Sequence, residues 1–123
     1  MATDLTVGLM DRPGTLAQAS DALGRAGINI EGACGFVCAG QGVYHVLVAD
    51  SVRARRALID SGFEIQAERQ VVLAQVEDRP GAAAEVLRRI ADEGLNIDLL
   101  YTTGDGRLVL SGDDVQGISR VLG

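Results

Sequence analysis

The chain has 123 residues, 47% of them apolar and only 3% aromatic, with no tryptophan and 16 glycines. Its formal charge of −6 argues against a nucleic-acid partner, which needs a basic surface, and no apolar run approaches the roughly 20 residues of a membrane span. Met1-Ala2-Thr3-Asp4 lacks the features of a signal peptide, so a cytoplasmic protein is expected.

In chain order, residues 3–10 alternate Leu5, Val7 and Leu9 and predict a strand. Asp11-Arg12-Pro13-Gly14 follows; proline suits the first turn of a helix rather than a central strand, and glycine lets backbone approach closely. The spacing of Leu16, Ala19, Leu23 and Ala26 predicts a helix from about Gly14 to Arg25 with Gln18 and Asp21 outside. Gly27 sits where a helix C-terminal glycine is expected. Asn29 then opens a second strand, over 28–38, whose small residues Gly32, Ala33, Cys34 and Gly35 invite a close neighbour.

Cys34 and Cys38, in an extended segment, would hold their Cα atoms about 13 Å apart, beyond disulfide reach. Reduced thiols are expected. Gly40-Gln41-Gly42 reads as a turn and 43–49 as the returning strand of a hairpin. His45 lies within that apolar strand and reads as a satisfied core or edge histidine rather than a base, and no metal-ligand spacing surrounds it. Asp50 and Ser51 cap a helix over 52–61, with Val52, Leu58 and Ile59 inward and Arg53, Arg55 and Arg56 outside. Those arginines form either a solvated face or a contact for an acidic partner. Gly62 ends the helix, and Phe63, Ile65 and Ala67 alternate as a fourth strand. No polar linker separates it from Gln70-Val71-Val72-Leu73, so two rigidly associated modules are expected.

The second half repeats the first. Asp78-Arg79-Pro80-Gly81 restores the earlier tetrapeptide at a shift of 67 residues (78 − 11 = 67), and the shift holds through Gly27/Gly94, Asn29/Asn96, Ile30/Ile97 and Glu31/Asp98. A fixed register over that length marks an internal repeat. Strands are predicted over 71–77, 95–103 and 107–111, a helix over 81–93 with Ala83, Val86, Leu87 and Ile90 inward, and a last helix capped by Asp113 or Asp114. Each half is about 60 residues, a size at which isolated domains are marginal. The halves are therefore expected to pack together or against a second chain.

Strand, Asp-x-Pro-Gly loop, helix, Gly-x-Asn-Ile and strand, twice in register, resembles the ACT domain family. The resemblance implies an α+β fold of two tandem ferredoxin-like βαββαβ modules, 1–69 and 70–123, each an antiparallel sheet with helices on one face, the second lacking its last strand. That strand would cover a sheet edge, so the strand from Phe63 to Arg69, the partner module or another copy of the chain must cover it instead; a homodimer, with some rearranged strand pairing, is expected. The resemblance also implies a regulatory protein that binds an amino acid or related metabolite at the module interface, without a cofactor and without catalysis, controlling an enzyme on a separate chain. By resemblance the ligand-binding positions are Asp11, Pro13, Gly14, Thr15, Asn29 and Ile30 in the first copy, and Asp78, Pro80, Gly81, Ala82, Asn96 and Ile97 in the second.

Physically, an amino-acid carboxylate suits backbone N–H groups at a helix start, and Asp11 or Asp78 suits its ammonium. Serine-binding members of the family carry a histidine two residues before the acidic position; Leu9 and Val76 stand there, which favours a ligand with an apolar side chain. Two plainer readings stay open: the tetrapeptide as a turn that only bends the chain, and Asn29 and Asn96 as partners of a loose helix carbonyl. The alternative function is a ligand-free scaffold that pairs through a sheet edge. RNA-recognition modules of the same plan need stacking aromatics and a basic face, and copper chaperones of that plan place two cysteines in the first loop; neither feature is present.

Overall fold

A computed structural model describes residues 2–123. Ten elements follow one another: β1 (Ala2–Met10), α1 (Thr15–Arg25), β2 (Gly32–Cys38), β3 (Gln41–Val48), α2 (Ser51–Asp60), β4 (Glu64–Gln75), α3 (Ala82–Asp92), β5 (Leu99–Thr102), β6 (Arg107–Ser111) and α4 (Val115–Leu122). They form two compact units, one of Thr3–Arg69 and one of Gln70–Gly123 with Ala2.

In the first unit the strands lie in the order β2-β3-β1-β4, with β4 contributing residues 64–69. The pairs β1/β3 and β2/β3 are antiparallel, in a register that sets Leu5 opposite Val46, Val7 opposite Tyr44 and Cys34 opposite His45. The alternation of β1 sends Leu5, Val7 and Leu9 to one face. There they meet Ala19 and Leu23 of α1 and Ala54 and Leu58 of α2 in a closed core. Asp50 caps α2, its Oδ1 accepting the Arg53 N–H at 3.0 Å.

In the second unit the strands lie in the order β4-β6-β5, both pairs antiparallel, with Val72 opposite Leu110 and Tyr101 opposite Val109. Its core joins Val72, Ala74, Leu108 and Leu110 to Ile90 of α3 and Ile118 of α4. The carboxylate of Asp114 caps α4 by accepting the Gly117 N–H at 2.9 Å. The architecture is the expected α+β pattern of two ferredoxin-like modules, the second without a last strand of its own.

Four expectations need correction. The strands read over 63–69 and 71–77 are one strand, β4, because nothing from 64 to 75 breaks the extended backbone. The strands expected to begin at Asn29 and Asn96 begin at Gly32 and Leu99. Ile30 and Ile97 still pack against the two cores, so their apolarity reflects burial rather than pairing. The turn is Ala39-Gly40 rather than Gly40-Gln41-Gly42: φ of 52° and 77° give the doubly left-handed two-residue turn whose twist matches a hairpin. Finally, Leu16, Val52 and Ile59 are exposed, since Ala19 and Leu23, and Ala54 with Leu58 one turn on, already fill the inward stripes of their helices.

Candidate functional site

The first Asp-Arg-Pro-Gly segment is a tight corner. Backbone of Arg12 donates to the Met10 carbonyl at 2.9 Å, and the Thr15 hydroxyl donates to the carbonyls of Met10 (2.8 Å) and Arg12 (3.2 Å). Gly14 is left-handed at φ 94° and begins α1 without a side-chain cap. Glycine is needed there because a side chain at that φ is strained.

Opposite the corner stands the far end of the β2-β3 hairpin. Gly42 allows its approach, since a Cβ there would lie 3.1 Å from the Leu9 Cβ and 3.2 Å from the Leu9 carbonyl oxygen. Between corner and hairpin lies a cavity of about 360 Å³, lined by Leu9 to Leu16, Gly35 to Val37, Gly42 and Val43. Its size lies at the small end of those that hold small molecules. Among the large apolar side chains left exposed, Met10 (67%), Leu16 (51%), Phe36 (48%) and Val37 (55%) all line this one cavity. Asp11 and Arg12 bring opposite charges to its rim, and neither side chain has a hydrogen bond or ion pair among the described residues.

The Phe36 ring is held from behind. It stacks on His45 with centroids 5.9 Å apart; His45 Nδ1 lies 2.9 Å from Asp4 Oδ2 and 3.3 Å from the Thr6 hydroxyl. All three polar residues are buried, so His45 is a satisfied interior histidine that fixes one wall of the cavity.

The second corner has the same backbone and a different occupant. Gly81 is left-handed at φ 87°, and Arg79 N–H donates to the Glu77 carbonyl at 3.0 Å. Here the guanidinium is taken: Nε donates to Glu77 Oε2 at 2.7 Å, while Nη1 and Nη2 reach both Glu85 oxygens at 3.1 and 2.9 Å. The hydrogen bond from Arg79, then its charge, hold the Glu85 carboxyl below the usual range. Bonds to Glu85 and then Glu77 raise the pKa of Arg79 further.

The opposing hairpin is shorter as well. Strand β5 stops at Thr102, and Thr103, Asp105 and Arg107 close its end with their own bonds: the Thr103 hydroxyl donates to Asp105, and Arg107 Nε reaches Asp105 Oδ1 at 2.9 Å. A larger opening of about 450 Å³ in this unit, lined by Ala2, Val72, Leu73, Ser119, Leu122 and Gly123, carries no ionisable side chain to orient a polar head group.

A family model for the ACT domain pair matches residues 1–122. The chain belongs to the ACT domain pair family. A search of curated proteins finds no match. A solved structure of a protein from Bacteroides thetaiotaomicron superposes with a TM-score of 0.88 at 27% identity, covering 98% of this chain and 85% of that one. The ligand-free regulatory subunit of aspartate kinase from Thermus thermophilus shares the fold, with a TM-score of 0.71 at 20% identity over 98% of this chain and 89% of that one. So does aspartate kinase from Synechocystis, with a TM-score of 0.66 at 21% identity over 97% of this chain and 23% of that one.

In this ACT domain pair the first cavity brings together Asp11, Pro13, Gly14 and Thr15 from the expected positions. Asn29 and Ile30 are not among its lining residues: Asn29 is exposed and Ile30 packs on the core. In the second copy Asp78, Pro80 and Gly81 are exposed at the corner and Ala82 is buried at the start of α3. Asn96 is exposed, its carbonyl oxygen 2.2 Å from where a Cβ on Gly112 would sit, and Ile97 packs inward. Sequence reasoning missed Met10, Arg12, Leu16, Phe36, Val37 and Val43. One signal was available: under the repeat shift, Met10 and Gln18 face Glu77 and Glu85. Among the described residues there is no cluster of metal-ligating side chains, and no helix is long and apolar enough to cross a membrane.

Proposed function

We propose that this chain is an amino-acid sensor made of two ACT modules, 1–69 and 70–123, which acts as a homodimer on a separate enzyme in the cytoplasm and performs no catalysis itself. The observation that carries the reading is the cavity at the first corner, where a rim of opposite charges adjoins the protein's main concentration of exposed apolar side chains. That arrangement matches an α-amino acid, charged at its head and apolar at its tail. Membership of the ACT domain pair family and a fold shared with an aspartate kinase regulatory subunit support a regulatory role. In the dimer, a second copy closes the exposed side of the cavity, and ligand biases the two arrangements only by its differential affinity for them.

Thermal melts against the twenty amino acids test this. A ligand at a hundred times its Kd stabilises by about 2.7 kcal/mol, a shift of several degrees, and Asp11→Ala is expected to abolish it. A melt that no amino acid moves, but that a protein partner shifts, would instead establish the ligand-free scaffold.

A further inference from the structure

The two corners share four residues and a backbone path, yet differ in what their arginines hold. Arg79 grips Glu85 in a two-pronged contact and Glu77 with its remaining nitrogen. That is how a guanidinium receives a carboxylate. Glu85 thus occupies, from within the chain, the position of an anionic guest. At the first corner the residues that would do the same are Met10 and Gln18. Neither carries charge, and Arg12 stands on the cavity rim without a carboxylate among the described residues.

The walls differ in the same sense. Gly35, Phe36 and Val37 extend β2 along the cavity; under the repeat shift their counterparts are Thr102, Thr103 and Gly104, where the shorter hairpin turns back on itself. An apolar tail has a wall to lie on at the first corner only.

We infer that Arg12 anchors the ligand carboxylate and that the second corner, whose arginine is already occupied by Glu77 and Glu85, takes none, so that each chain binds one amino acid with an aliphatic or thioether side chain. This rests on the sensor reading above and adds the anchor, the ligand class and the stoichiometry. Asp11 receives the ammonium, Arg12 the carboxylate, and Met10, Leu16, Phe36 and Val37 the tail.

Calorimetry on the full chain with leucine, isoleucine, valine and methionine is the test, with isoamylamine as the leucine analogue lacking a carboxylate. One ligand per chain is expected. Arg12→Gln should weaken leucine binding roughly 10-fold or more, the scale of a lost bond to a charged group, while leaving the weaker binding of isoamylamine unchanged. Arg12→Lys should retain part of the affinity, and Arg79→Gln should alter neither affinity nor stoichiometry; circular dichroism melts check that each variant is folded. Two ligands per chain, or leucine binding that survives Arg12→Gln, overturns this inference and leaves the sensor standing. If the unaltered protein binds none of the twenty amino acids, both fall.

Discussion

The two Asp-Arg-Pro-Gly corners follow the same path, with φ of 94° at Gly14 and 87° at Gly81 and the same arginine-to-carbonyl bond closing each. What separates them lies outside the tetrapeptide. Met10 and Gln18 leave Arg12 uncommitted, Glu77 and Glu85 engage Arg79, and a longer hairpin walls one corner with apolar surface. A repeated motif thus specifies a backbone. Whether that backbone is open to a guest is decided by the residues it is set among.

The comparison is sharpest in the cores, where the units should behave alike. Leu23 and Ile90 are equivalent under the shift and both fully buried. Truncating either to alanine is expected to cost about 2–5 kcal/mol in denaturant unfolding; a cost well under 1 kcal/mol at one of them would mean that its unit does not depend on its core. Smaller, and again shared, is the effect of Gly14→Ala and Gly81→Ala. A Cβ meets nothing within 4 Å at either position, so the penalty is conformational, about 1–2 kcal/mol. Only the first variant should also weaken ligand binding, and equal loss of binding in both would erase the asymmetry.

The smallest effect separates the units by pH. The Glu85 carboxyl is held low by Arg79, so its folded pKa lies below its unfolded value of about 4.3. The contribution is present above that value and is lost as pH falls through the lower, folded one. In an NMR titration Glu85 should release its proton below the range of ordinary glutamates, and return toward it in Arg79→Gln; a normal titration in the unaltered protein would dissolve the contrast between the corners.

Much of the fold was legible because its determinants are local and periodic. Leu5, Val7 and Leu9 alternate, Ala19 and Leu23 recur one turn apart, and both sets lie in one core. The continuity of β4 was not, since alternation looks the same whether one strand or two produce it. The corner itself was visible in its letters. The cavity was not, because Phe36 and Val37 reach it only through the Ala39-Gly40 turn, and Leu16 reads as core until Ala19 and Leu23 are seen to fill that stripe.

The Thr15 hydroxyl, tied to two carbonyls of its own corner, has no equivalent at Ala82. One loop is therefore braced by neutral dipoles and the other by solvent-exposed ions. At 0.1 M electrolyte, charges are screened beyond about 10 Å, and at 1 M beyond about 3 Å. Raising ionic strength loosens the second brace and spares the first, which leaves the corner at residues 11–14 the firmer of the two in brine.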